Sequence, residues 1–180
     1  MSNDKHIRDN VLQLWKKGEK QRTIKIKGTS MKPLIEEGNS ITFCPLPDMN
    51  NLTIGDIAVF QRGLGLIAHR IVGKTRADNG FFFMEKGDNT FYPQAVSGND
   101  ILGMVIKINT DECSIDLTTW YWIAINRLLG YYWRTLFLVL SLFLKVKKSL
   151  FGAKQLYVSS AYKKTLQFFV KLPTFFLRLK

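Results

Sequence analysis

Between residues 23 and 117 the chain alternates short runs of branched and aromatic residues with turn residues. That is the pattern of a mainly β, antiparallel domain. Runs at 23–27, 40–43, 57–60, 66–72, 81–85, 101–108 and 113–117 are expected to be strands. Gln61-Arg62-Gly63-Leu64-Gly65 separates two of them and predicts a hairpin. Asp78-Asn79-Gly80 marks the turn before another, and Cys44-Pro45-Leu46-Pro47 breaks the run at 40–43. No segment repeats at the period of a solenoid. Ahead of the strands, Val11, Leu12, Leu14 and Trp15 predict one face of a short helix in a polar segment, 1–22, that carries no secretory leader.

The texture changes near residue 118. Residues 120–144 are apolar with few interruptions, and the interruptions are periodic: Arg127, Arg134, Ser141 and Lys148 stand seven apart. They predict a helix with a narrow polar stripe and a wide apolar one. The triplets Trp120-Tyr121-Trp122 and Tyr131-Tyr132-Trp133 stand eleven apart, close to whole turns, so they are expected to share a face. A second amphipathic helix is expected over 149–171, with Leu150, Tyr157, Ala161 and Phe168 on one stripe and Pro173 as its stop. The length of 120–144 allows a membrane span. Arg134 near its middle would cost about 2.5–3.5 kcal/mol there.

Charge divides the chain at the same point. The 180 residues carry a formal net charge of +12, yet residues 117–180 hold 11 basic side chains and no acid. The first 116 residues are close to neutral, with 15 basic and 14 acidic side chains. Cations mixed with Phe, Leu and Trp suit an anionic membrane surface, each near the leaflet contributing about 1 kcal/mol. They do not suit a phosphate backbone, so nucleic acid is not expected as a partner. The division gives three segments: 1–22, a β domain at 23–117, and a basic apolar helical region at 118–180 that would hold the protein at the cytoplasmic membrane. That region could instead pack on the domain or on a second copy. Cys44 and Cys113 make neither a disulfide framework nor a metal pattern and read as two small buried hydrophobes.

The candidate chemistry lies in the β domain. Gly28-Thr29-Ser30-Met31-Lys32-Pro33 follows a strand and places a short hydroxyl beside a glycine. The domain holds one histidine, His69, in the run 66–72, and Lys86-Gly87-Asp88-Asn89 follows the run 81–85. Ser30, His69 and Asp88 thus stand in the order nucleophile, base and carboxylate, separated by 39 and 19 positions. A serine hydroxyl needs a neighbouring base to become a nucleophile. A neutral imidazole can be that base near neutral pH, and a carboxylate can fix its tautomer.

These three boxes, with Ile101-Leu102-Gly103-Met104-Val105, resemble the signal peptidase I family of serine peptidases. The likeness is greatest to the branch of the endoplasmic reticulum, archaea and spore-forming bacteria, which carries His where the main bacterial branch has a catalytic Lys. It covers roughly residues 24–108, and the same fold is shared with LexA-type self-cleaving repressors. The resemblance implies that Ser30 attacks the scissile carbonyl, that His69 is general base and then acid, and that Asp88 orients His69. It also implies that the Ser30 N–H, with Gly28 and Met31 beside it, serves the oxyanion and the substrate. Met31 and Pro33 would pack behind the nucleophile, and an extended peptide or preprotein would bind between strands. No cofactor and no metal are implied.

The chain departs from the family in three places. No apolar anchor precedes the motif, Gly28 stands where many members have Ser, and Thr90-Phe91-Tyr92-Pro93-Gln94 lacks the second Asp of the branch. The expected activity is membrane-associated cleavage of signal or leader peptides. The alternatives are a LexA-like regulator that cleaves itself or binds peptides, and an inactive membrane-bound scaffold.

Overall fold

The computed structural model describes residues 11, 12, 14–16, 18 and 20–151. Among the described residues, eight strands form one antiparallel sheet that curls into a half-barrel. They are β1 (Arg22–Lys25), β2 (Ser40–Cys44), β3 (Ile57–Arg62), β4 (Gly65–Ala77), β5 (Gly80–Lys86), β6 (Gln94–Ser97), β7 (Ile101–Asn109) and β8 (Ser114–Asp116). The order is β1-β2-β7-β3-β4-β5-β6, with β8 paired to β7. Single turns of 3-10 helix at Met49–Asn51 and Gly98–Asp100 bridge strands. One long helix, α1 (Trp120–Phe151), closes the described chain.

The expected strands form, with changes that have physical reasons. The run at 66–72 grows into the 13-residue β4. Beyond Val72 this strand is polar, but the tight turn at Gly80 (φ 123°) returns β5 along it and supplies ladder partners out to Ala77. The strand β6, Gln-Ala-Val-Ser, was not expected. Only Val96 of its four residues is buried, so the local pattern is too short to read, and pairing with β5 creates the strand.

Alternation along the strands sends side chains to both faces of the sheet. Ile57 and Val59 of β3 enter one core with Ile41, Phe43, Val105 and Ile108. Ala58 and Phe60, their neighbours in sequence, enter another with Leu52, Ile71, Phe83 and Ile101. The N-terminal helical residues 11, 12 and 14–16 cap the first core: Leu12 is buried, and the Trp15 ring stands 6.1 Å from that of Phe43. Cys113 is exposed rather than buried, with its thiol against the Thr110 hydroxyl, and Cys44 is half-buried.

Helix α1 docks through Asn126, Leu129, Gly130 and Trp133, a stripe spaced three, four and seven residues from its start. Gly130 lies against Gly55 so closely that a Cβ on it would come within 2.5 Å of the Gly55 nitrogen. Gly55, at φ 102°, turns the chain tightly enough to meet the helix backbone. The helix differs from the expected one in two respects. Arg127 leaves the polar stripe and docks on the turn before β3, donating to Thr53 Oγ1 and to Ile54 O at 2.6 Å. The aromatic triplets share a face as expected: of the members eleven apart, Trp120 and Tyr131 are both exposed, whereas Trp122 packs on the first core and Trp133 is fully buried. The helix also continues unbroken through residues 145–149, where no Gly or Pro interrupts it. The rest of the second expected helix, at 152–171, lies outside the described residues.

Candidate active site

Ser30 stands in the turn after β1, where Thr29 O accepts from Lys32 N–H at 3.3 Å and Met31 O from Ile35 N–H at 3.1 Å. Its carbonyl accepts the Asn89 N–H at 2.7 Å, which ties the turn to the loop following β5. Gly87 makes this approach possible: a Cβ there would lie 2.7 Å from Ser30 O and 2.9 Å from His69 Nε2. Met31, next to Ser30 in the chain, is buried in the first core.

His69 faces Ser30 from β4. Its Nε2 lies 2.8 Å from Ser30 Oγ. Its Nδ1 lies 2.5 Å from Glu85 Oε2, and its ring meets Phe60 edge-on at 6.1 Å between centroids. A carboxylate on Nδ1 makes that nitrogen the donor, so Nε2 is left with the lone pair that faces the serine hydroxyl. The other Glu85 oxygen accepts from Arg62 Nη2 at 2.7 Å, and Arg62 Nη1 donates to Gln94 at 2.6 Å. Glu85 is 1% exposed, so Arg62 and the His69 Nδ1–H hold a carboxylate that water does not reach.

Asp88 does not touch His69. It takes two hydrogen bonds from Arg70, Nε to Oδ1 at 2.8 Å and Nη2 to Oδ2 at 2.7 Å, on the opposite face of the sheet. The expected Ser30–His69–Asp88 contact is therefore corrected to Ser30–His69–Glu85. The reason is ladder geometry. Ile71 pairs with Glu85 and Arg70 with Lys86, so His69, two positions from Ile71, shares its face with Glu85. Arg70 points the other way and reaches past the strand end to Asp88. The signal for Glu85 is its place as the lone acid closing an aromatic strand, Phe81-Phe82-Phe83-Met84-Glu85, but register decides which face it occupies.

Ser30 and His69 stand at the foot of a cleft of about 580 Å³ lined by residues 24–28, Met31, Ile35 and residues 65–69. Its two walls are strand edges. Among the described residues, β1 ends the sheet and pairs only with β2. The first half of β4 pairs with β3 on one side, whereas β5 joins the other side only from Arg70 onward. Gly28 adds no side chain, and a Cβ there would meet nothing within 4 Å. Among the described residues, no group of His, Cys, Asp and Glu is arranged to hold a metal.

Behind the site, Lys86 is fully buried with its Nζ 3.5 Å above the Trp133 ring and 2.8 Å from Gly87 O. Burial pulls its pKa down to about 7; Asp88 and Glu85 oppose that shift and Arg70 adds to it. No model of a known protein family matches this chain, and no curated protein matches it.

Proposed function

We propose that this chain is a serine endopeptidase of the signal peptidase I type, its β domain sharing the LexA-like architecture, and that it cuts leader or signal peptides at a membrane. The observation that carries this reading is the line Ser30 Oγ, His69 Nε2, His69 Nδ1, Glu85 Oε2, at 2.8 and 2.5 Å, placed at the foot of a cleft between two unpaired strand edges. An extended peptide can add to such edges as a further strand, with alternate side chains directed at Ile24, Ile26, Leu66 and Ala68.

In this reading His69 Nε2 takes the hydroxyl proton as Ser30 Oγ bonds to the scissile carbonyl carbon. Glu85 stabilises the imidazolium that forms. The Ser30 N–H contributes one donor to the oxyanion, in a setting where each donor supplies about 3–4 kcal/mol. The tetrahedral adduct collapses, the C–N bond breaks, and His69 passes its proton to the leaving amine. Water then attacks the acyl-serine by the same exchange and releases the acid.

Helix α1 supports the membrane part of the proposal. Over Trp120–Val146 it is long and apolar enough to cross a membrane. Leu128, Tyr131, Leu138, Leu142 and Phe143 are each more than half exposed on its outward side. Its turns as far as Trp133 are already held by the sheet, which favours a helix lying along an anionic surface; that this surface is the cytoplasmic one is part of the proposal.

The test is cleavage of a peptide library by the full chain in detergent beside Ser30→Ala and His69→Ala. Cleavage by the wild type alone supports the reading. A folded wild type as silent as Ser30→Ala would move the inactive scaffold to the front. Flotation with phosphatidylglycerol vesicles tests the surface, and the double variant Leu138→Asp, Leu142→Asp is expected to lose binding.

A further inference from the structure

The peptidase reading makes α1 an anchor, but its docked side reaches the nucleophile's support. Asn126 lies in the seam between α1 and the sheet, 6% exposed, and its side-chain oxygen accepts from Arg70 Nη1 at 2.7 Å. The same Nη1 donates to Gly55 O at 2.9 Å. The other edge of the guanidinium holds both oxygens of Asp88. Asp88 stands between Gly87, which packs on Ser30 O and His69 Nε2, and Asn89, whose N–H donates to Ser30 O.

Arg70 therefore sits between two fixed bodies. Its planar fork matches Asp88 only in one orientation. That orientation is set at the far edge by two acceptors, one of which belongs to α1. Without the Asn126 oxygen, a buried N–H of a charged group is left with one acceptor fewer. The guanidinium is then free to tilt toward Gly55 O, and the tilt passes through Asp88 to the Gly87–Asn89 segment.

We propose that Asn126 is a positioning residue for Ser30, so that the seat of α1 on the sheet sets the geometry of the nucleophile through Arg70 and Asp88. The kinetic part of this inference rests on the peptidase reading; the structural part does not. It follows that anything that shifts α1 at its seat also shifts Ser30.

The test compares Asn126→Leu, which removes the acceptor at similar volume, with Asn126→Asp, which keeps it. Asn126→Ala serves where the Leu variant does not fold. Two quantities are read on the full chain in detergent: kcat and KM normalised to serine labelled by a fluorophosphonate, and hydrogen exchange of the Asn89 amide against the β2–β7 ladder amides. Asn126→Leu is expected to lower kcat about tenfold or more with KM unchanged. It is also expected to speed Asn89 exchange selectively, and Asn126→Asp should restore both.

A uniform rise in exchange with unchanged normalised kcat would reduce Asn126 to a stability residue and overturn the proposal. Equal losses in Asn126→Leu and Asn126→Asp, or wild-type behaviour in both, would overturn it as well. If no form cleaves any peptide, the peptidase reading falls, and Asn89 exchange alone decides the coupling.

Discussion

The two faces of the β4–β5 ladder hold charged groups in opposite surroundings. On one face, His69 and Glu85 meet Ser30 at the foot of an open cleft. On the other, Arg70, Asp88 and Lys86 are sealed beneath Asn126 and Trp133 of α1. Successive residues of two strands thus serve different ends. One face leaves a hydroxyl and an imidazole open to the cleft, whereas the other pairs Arg70 with Asp88 internally and holds the loop behind them. A carboxylate on the first face is expected to govern rate, and one on the second to govern stability.

The sharpest way to break that comparison is to neutralise each carboxylate in turn. Glu85→Gln should fold normally and lower kcat by about 10⁴, since the amide presents the wrong group to Nδ1. Active-site-normalised kinetics beside a melting curve would check this, and a wild-type rate would remove Glu85 from the machinery. Asp88→Ala should act first on stability, with a smaller loss of kcat, about tenfold, passed through the Gly87–Asn89 segment. It leaves the buried Arg70 unpaired, so urea unfolding should report a loss of about 3–5 kcal/mol. An unchanged midpoint for Asp88→Ala, with only the rate reduced, would exchange the roles assigned to the two faces.

A smaller effect sharpens the role of the seam. Gly130→Ala gains about 1 kcal/mol in helix propensity, but its Cβ strikes the Gly55 backbone. Overpacking of this kind costs about 1–3 kcal/mol, so the melting temperature should fall slightly. A rise would mean that α1 is not seated on Gly55.

The smallest effect comes from Lys86. In the native state it gives up its proton near pH 7, whereas the unfolded chain holds it up to 10.5. Unfolding therefore takes up a proton throughout that window. The contribution of this group to stability is least favourable below pH 7 and rises with pH above it. Between pH 7 and 8 the wild type should gain about 1 kcal/mol relative to Lys86→Met, which lacks the group. Denaturant titrations at both pH values would detect it, and parallel curves would show that Trp133 keeps the ammonium charged.

The β domain was largely legible because its alternation is local and its turns carry their own residues, as at Gly63 and Gly80. Strand β6 was not, because Val96 alone marks it. The long apolar stretch gave a helix, but not the seat of Arg127, which depends on a turn more than 70 positions away.

The sequence by itself brought Ser30 and His69 forward as partners, since box order and residue type carry that much. It put Asp88 forward as the carboxylate for His69 and passed over Glu85, three positions earlier, which makes the contact. Only the tertiary structure decided between them. The β4–β5 register puts Glu85 on the histidine face, a bulge between Ile71 and Gly73 shifts the ladder beside it, and the long Arg70 side chain claims Asp88 from behind. Strand parity is a property of pairing, not of composition, and a slip of one residue would have exchanged the two faces.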